Sequence, residues 1–284
     1  DFAERYCAGN RFGWGGCQNA DELNAVISRL VMVRRLKKDV LTQLPPKQRE
    51  QVFLQLPKSD ALKQVRDVQE KLKAIKEKQK NEGGDGERTM EEKRLMNSLY
   101  LFSARAKLVP VAHYLGELLD AGGSEKFLFF AHHTELLDAA EAAVKQRGVP
   151  SIRIDGSTPT SVRGGLVNRF QEDERVRVAV LSIKAAGMGI TLTAASTVIF
   201  GELTWTPGDI VQAEDRAHRI GQVSSVNVQF LCAKNTVDDI MWASVQNKLE
   251  NLGQVLDGTS GDHLELHEGK GGGSSKWRGG GVSR

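Results

Sequence analysis

Gln212, Arg216 and Arg219 stand four and seven residues apart in the segment QAEDRAHRIGQ (212–222). A guanidinium is a planar cation whose fork of donors matches pairs of phosphate oxygens. At helical spacing these three residues share one side, while Ile210, Ala213, Ala217 and Ile220 form an apolar side suited to packing. Two cations presented together point to phosphate chemistry. A solvated charged helix face has the same pattern, and the surroundings must decide between them.

Three further segments carry phosphate-binding residue types. DGSTP (155–159) offers Ser157 and Thr158, with Thr158 placed to cap a helix that Pro159 would open. SIKAAGMGITLT (182–193) offers Ser182, Lys184 and the pair Gly187 and Gly189, which permits close backbone approach. ELTWTP (202–207) places Thr206 as a cap, Pro207 as a first helical residue and Asp209 at the amino end of the helix that carries the arginines. Hydroxyls, glycines and N–H groups at helix starts suit phosphate. Each segment also has a plainer reading: Gly-x-Gly alone is weak, DGST is commonly a turn, and paired arginines are commonly surface charge. Their occurrence in order at successive strand ends is what favours a site.

The elements that position them follow from periodicity. KFLFFA (126–131), SIRID (151–155), RVAVLS (177–182), STVIFG (196–201) and VNVQFLC (226–232) are short apolar runs with helical segments between several of them. Such a pattern predicts an α/β fold, a parallel sheet covered on both faces. The last run alternates, with Asn227 and Gln229 opposed to Val226, Val228 and Phe230, as an edge strand would. Ligands of such sheets gather at the carboxyl ends of the strands. Upstream, helices are expected over 21–41, 59–80, 89–105 and 107–121, with REQVFLQL extended after LPPK (44–47). A helix from 236 to 251 closes the domain, and the Gly/Ser-rich stretch beyond Gly258 predicts disorder. The expected division is a helical region over 1–105, an α/β lobe over 106–252 and a tail over 253–284.

The chain has 284 residues, 40% of them hydrophobic, and a formal charge of +3, which suits one large domain or two smaller ones. No run is long enough to span a membrane, and no secretory signal opens the chain. Its first residue is Asp1 rather than Met, as in a piece of a longer protein. Three cysteines without paired spacing argue against zinc and for reduced thiols. Between Arg29 and Arg49 seven cations face the single acid Asp39, a local excess that fits either a polyanion partner or a solvated helix surface.

VLSIKAAGMGITLTAASTVIFGELTWTPGDIVQAEDRAHRIGQ resembles motifs V and VI of the SNF2-type, superfamily-two DNA translocases. KFLFFAHH and IRIDGSTPTSVRGGLVNRF resemble motif IV and the segment before motif V. VRRLKKDVLTQLPPKQR is similar to the helical element that these proteins insert between two motor lobes, and the likeness runs from about Phe2 to Leu252. FAERYC, FAHH and QAEDRAHRIGQ are most similar to the SMARCA-like annealing helicases, the HARP group. Nucleosome remodellers more often carry glutamine at His132, asparagine at Thr191, aspartate at Ser196 and asparagine at Thr206.

The resemblance implies a RecA-like second lobe of a nuclear enzyme that uses ATP with Mg²⁺ and acts on forked or partly unwound DNA without reading sequence. Arg216 and Arg219 would meet the γ-phosphate, with Gln212 orienting them. Gly187 and Gly189 would approach nucleotide or DNA backbone, and Ser157, Thr158, Ser182 and Lys184 would hold phosphates of the tracked strand. His132 would touch nucleic acid, unless it is simply a hydrogen-bonded loop residue; Trp205 reads as a packing residue. No phosphate loop and no acidic box at the end of a strand occur in the sequence, so the triphosphate and the metal are expected on a first RecA-like lobe and the chain by itself is expected to be inactive. A SNF2-type chromatin remodeller and a non-catalytic DNA-binding module are the alternatives.

Overall fold

The computed structural model describes residues 2–10, 13–14, 16–35, 37–81 and 89–257. A short helix α1 (Phe2–Tyr6) and a small antiparallel pair, β1 (Gly9–Asn10) and β2 (Gly13–Trp14), precede α2 (Ala20–Leu30) and α3 (Lys37–Val40). β3 (Lys47–Phe53) then leads to the long helices α4 (Asp60–Asn81) and α5 (Met90–Asp120). Alternation follows: β4 (Lys126–Ala131), α6 (Thr134–Gln146), β5 (Ser151–Ile154), α7 (Thr160–Glu172), β6 (Val178–Ser182), a 3-10 turn over Ile183–Met188, β7 (Ala195–Phe200), α8 (Pro207–Ala217), β8 (Val226–Cys232) and α9 (Val237–Asp257).

Six strands form one sheet in the order β3-β8-β7-β4-β6-β5, and every pairing is parallel. β4 is buried along its whole length, so its alternate residues serve opposite faces. Leu128 and Phe130 join a core built with α4, the start of α5, α7, α8 and α9; Phe127, Phe129 and Ala131 join a second core with the end of α5 and α6. In the first core Phe130 stacks on Phe200, Phe200 on Phe230, and Phe230 meets Trp242 of α9 edge-on, with ring centres 5.0–5.5 Å apart. Trp205 packs against this core, as its sequence context suggests.

A polar cluster locks α5, β8 and α9 together. Lys107 and Asp238 are 1% and 2% exposed, with Nζ 2.9 Å from Oδ2. Lys107 also donates to the Leu231 carbonyl, and Asp238 accepts from the Ala233 N–H.

Four expectations are corrected. The helix over 21–41 ends at Leu30, and α3 is a separate turn. Isolated helices depend on packing, and Leu30, Val31 and Val33 are 76–89% exposed, with no core to hold them. The two helices over 89–105 and 107–121 are one helix, because burial of Ala106, Lys107, Val111 and Leu115 on the sheet carries it through Pro110. A capping box of Thr89 and Glu92 begins that helix. β8 is not an edge strand: β3 covers it, and Glu50 of β3 accepts from both Asn227 and Gln229, which accounts for the polar residues on β8. The closing helix continues to Asp257, six residues past its expected end at 251 and five into the expected tail over 253–284; the stretch beyond it lies outside the described residues. α5 runs across the 105/106 division, and β3, upstream of it, belongs to the same sheet.

Candidate phosphate-binding sites

The residues singled out from sequence separate into two clusters on opposite edges of the sheet. His132 follows β4, Ser157 and Thr158 follow β5, and Ser182 and Lys184 end β6 and begin the 3-10 turn. His132, Ser157, Ser182 and Lys184 line one cavity of about 330 Å³ at the carboxyl edge, together with Arg153 and Asp155. Gln212, Arg216 and Arg219 lie elsewhere. α8 starts at that edge but must run back along β7, and its 11 residues extend roughly 16 Å. Its far end sits near the start of β7, where Gln222 donates to the Ala195 carbonyl at 2.8 Å. The arginines are therefore not at a carboxyl edge, contrary to the simple rule for such sheets.

At the carboxyl edge the DGST loop folds onto its own aspartate. Ser157 donates both its N–H (2.9 Å) and its hydroxyl (2.6 Å) to Asp155 Oδ1. Thr158 Oγ1 accepts from the Asp155 N–H, so it does not cap α7, whose capping position is Pro159. Arg153 binds Asp155, Asp138 and Glu141 at 2.6–2.9 Å and is neutralised by them. Donors facing the cavity include Lys184, which is exposed, the Ser182 hydroxyl proton, since Ser182 Oγ accepts from Ala185 N–H, and the one N–H of the His132 ring. Burial, with the His133 and Lys184 charges, outweighs Glu202 and keeps the His132 imidazole below its ordinary range; its ring is neutral at pH 7.

The Ser157 hydroxyl bond, with Arg153 assisting and burial opposing, holds the Asp155 carboxyl down at about 2. A depressed carboxyl stabilises the fold above its unfolded value of about 4 and loses that contribution as pH falls toward the folded value. We therefore expect an NMR titration of the Asp155 side-chain carboxyl to centre near 2, and Ser157→Ala to move the midpoint upward. An ordinary midpoint in the unaltered chain would show that the loop is not held this way.

Glu202, 1% exposed, was not singled out from sequence. Its Oε2 accepts from the His132 and His133 N–H groups at 2.8 Å each, and its Oε1 meets His133 Nδ1 at 2.6 Å. Burial opposes its charge, but the His133 hydrogen bond and charge, with Lys107, outweigh burial and keep the carboxyl below its usual range. It ties the turn after β4 to the connection that begins α8.

At the amino edge, Arg216 and Arg219 both lie against the loop after the 3-10 turn. Arg216 donates to the Ile190 carbonyl, and Arg219 to the Gly189 carbonyl and to Thr191 Oγ1, at 3.0–3.3 Å. Gly189 sits in the left-handed region at φ 74°, a conformation that glycine adopts without strain. Gly187 lies within the 3-10 turn itself. α8 ends at Ala217, so Arg219 leaves the helix and only Gln212 and Arg216 share its side; Gln212 is exposed. Ile220, expected on the apolar side, is 77% exposed for the same reason. Thr206 occupies the capping position and Pro207 the first turn, though the Thr206 hydroxyl makes no cap bond.

Arg216 is 8% exposed, its Nε has no partner, and among the described residues no carboxylate forms an ion pair with it or with Arg219. Burial, and then the Arg219 charge, lower its pKa. A buried guanidinium so placed is chemically suited to an anion.

The two acids just before Arg216 have a different role. Glu214 is fully buried and takes Lys47 at 2.7 Å and Arg49 at 2.7 and 2.8 Å. Burial opposes its charge, but Lys47 and Arg49 outweigh it and hold its carboxyl low. Asp215 pairs with Lys37 at 2.7 Å. Three cations of the stretch whose local excess fits either a polyanion partner or a solvated helix surface are thus bound to the arginine helix. Glu214 and Lys47 were missed because no local spacing links residues 167 apart.

The helicase conserved C-terminal domain matches residues 110–221. The chain is 44% identical over 265 residues to the Caenorhabditis elegans homolog of SWI/SNF-related matrix-associated actin-dependent regulator of chromatin subfamily A-like protein 1, covering 90% of this chain and 36% of that protein. It is 43% identical over 285 residues to the human DNA annealing helicase and endonuclease ZRANB3, covering 98% of this chain and 25% of that protein. The C-terminal part of the Fun30 ATPase domain has the same fold, with a TM-score of 0.56 and 22% identity over 74% of this chain and 92% of that one.

The fold is thus a RecA-like helicase C-terminal lobe. The chain is a homologue of the SWI/SNF-related A-like proteins and ZRANB3, and its residues 110–221 match the helicase C-terminal domain. It spans about a quarter to a third of the length of these relatives.

Proposed function

We propose that the chain is the C-terminal motor lobe of an ATP-dependent DNA translocase of the annealing type, acting in the nucleus on forked or partly unwound DNA. The observation that carries this reading is the arginine pair, which has no carboxylate ion-pair partner among the described residues, with Arg216 Nε buried and unbonded. That pair fits a triphosphate held mainly by a first RecA-like lobe, which would also carry the Mg²⁺ ligands. ATP supplies the γ-phosphoryl group whose hydrolysis drives movement.

In this reading Arg219 and Arg216 stabilise the charge that develops on the γ-phosphate. Gln212 orients them, and Gly187 and Gly189 let the loop backbone approach the nucleotide. On the opposite edge, Lys184, Ser182 and His132 meet phosphates of the tracked strand. Ser157 and Thr158 act there chiefly by shaping the loop around Asp155, because their donors are already engaged.

Two measurements on the 284-residue chain test this. Its affinity for duplex and forked DNA of unrelated sequences is expected to fall steeply with salt, by a log–log slope of about −0.9 for each phosphate engaged. It is also expected to show no DNA-stimulated ATP turnover by itself. Strong sequence preference, salt-insensitive binding, or turnover that depends on Arg219 in the chain alone would each overturn the reading.

A further inference from the structure

The motif QAEDRAHRIGQ presents two different sides. Residues 216 and 219 lie against the loop at Gly189–Thr191, whereas residues 214, 215 and 218 lie against the segment from Lys37 to Arg49. On that second side Lys47 and Arg49 grip Glu214, Lys37 Nζ reaches both Asp215 (2.7 Å) and the His218 carbonyl (3.2 Å), and His218 Nε2 lies 2.7 Å from the Pro45 carbonyl. The Arg216 backbone is pinned as well, since its carbonyl accepts from Leu192 N–H at 2.8 Å. Among the described residues, the guanidiniums themselves are held by contacts of 3.0–3.3 Å to carbonyl and hydroxyl oxygens. Their placement therefore comes from the backbone around them, and that backbone is fixed by Leu192 and by the segment from Lys37 to Arg49, with β3 holding Glu214.

We propose that Glu214 is a positioning residue for the arginine pair, and that Lys47 and Arg49 clamp it so that the edge strand preceding the lobe sets where Arg216 and Arg219 stand. This rests on the reading of the arginines as γ-phosphate contacts. Glu214 touches no nucleotide; it acts by fixing the last turn of α8. The two cations of β3 arrive from 165 and 167 residues away in sequence. A bidentate Arg49 fork plus a Lys47 contact on one buried carboxylate restricts both rotation and sliding of the helix end. Displacement of a catalytic group by an ångström can cost on the order of a hundredfold in rate.

The test is a double-mutant cycle in the full-length protein. Glu214→Gln is expected to lower DNA-stimulated kcat by roughly 10- to 100-fold while KM for ATP and affinity for DNA change little. In an Arg219→Lys background the same change is expected to cause clearly less than its full loss, because only Arg216 is left to position. Additive losses, or a wild-type kcat for Glu214→Gln, would overturn the proposal and leave Glu214 a brace of the fold alone. If Glu214→Gln fails to fold, Arg49→Lys, which keeps the charge and loses the fork, enters the same cycle with the same expected non-additivity.

A second readout needs no nucleotide. In the 284-residue chain, the Nε–Hε NMR resonances of Arg216 and Arg219 are expected to move on Arg49→Lys, with thermal melting nearly unchanged. Unmoved resonances would overturn the positioning role. If Arg219→Lys alone leaves kcat unaltered, the γ-phosphate reading fails, while the resonances still decide whether Glu214 places the arginines.

Discussion

Arg219→Lys in the full-length protein is expected to lower DNA-stimulated kcat by at least about a hundredfold, with DNA affinity and melting temperature nearly unchanged. Loss of a cation that contacts a transferring phosphoryl group costs on the order of 10³–10⁵ in rate, and lysine restores the charge without the planar fork. Arg219 is exposed and lies outside α8, and its contacts are a carbonyl and a hydroxyl, so the fold does not depend on the guanidinium. Arg216 is different: at 8% exposure its replacement would disturb both packing and chemistry, which makes Arg219 the cleaner probe. A kcat within about threefold of the unaltered protein, under ~1 kcal/mol of barrier, would show that Arg219 does not contact the transition state.

The largest effect on stability is expected from the buried ion pair. Asp238→Ala leaves the Lys107 ammonium 1% exposed, with only the Leu231 carbonyl to bond. Breaking one side of such a pair typically costs about 3–5 kcal/mol, because an uncompensated charge stays buried. It also removes the acceptor for Ala233 N–H. Denaturant unfolding should register this as a lowered midpoint at similar slope. The double replacement Lys107→Met with Asp238→Leu should recover most of the loss, since apolar residues of similar size leave no charge to solvate. Equal instability of the single and double variants would refute the electrostatic account and leave packing as the cause.

The strands were legible in the sequence because parallel strands buried on both faces are mostly apolar; β4, β6 and the second half of β7 are such runs. β8 was legible as a strand but not in its place, since its polar residues look solvated until Glu50 is brought beside them by β3. The continuity of α5 was hidden by Pro110, whose local cost is overridden by burial on either side. At the candidate sites, residue types pointed to phosphate, and the structure brings four of the five proposed DNA contacts around one cavity. What periodicity could not show is how the chain's own groups pair. The stretch from Arg29 to Arg49 reads as a basic surface, yet Lys37, Lys47 and Arg49 answer acids on α8. Glu202 likewise looks like an ordinary loop acid until both histidine N–H groups converge on it.

The separation of the two clusters onto opposite edges of the sheet has a thermodynamic consequence for the proposed motor. Two polyanions that never share a pocket do not compete, so nucleotide and DNA can be held at once and in either order. Any influence of one on the affinity for the other must then be reciprocal and equal in size, whichever arrives first. Glu202 bonds the turn beside one ligand and opens the connection to the helix that reaches the other. In a translocase assembled this way, influence between the two ligands would pass through the lobe's interior by this connection.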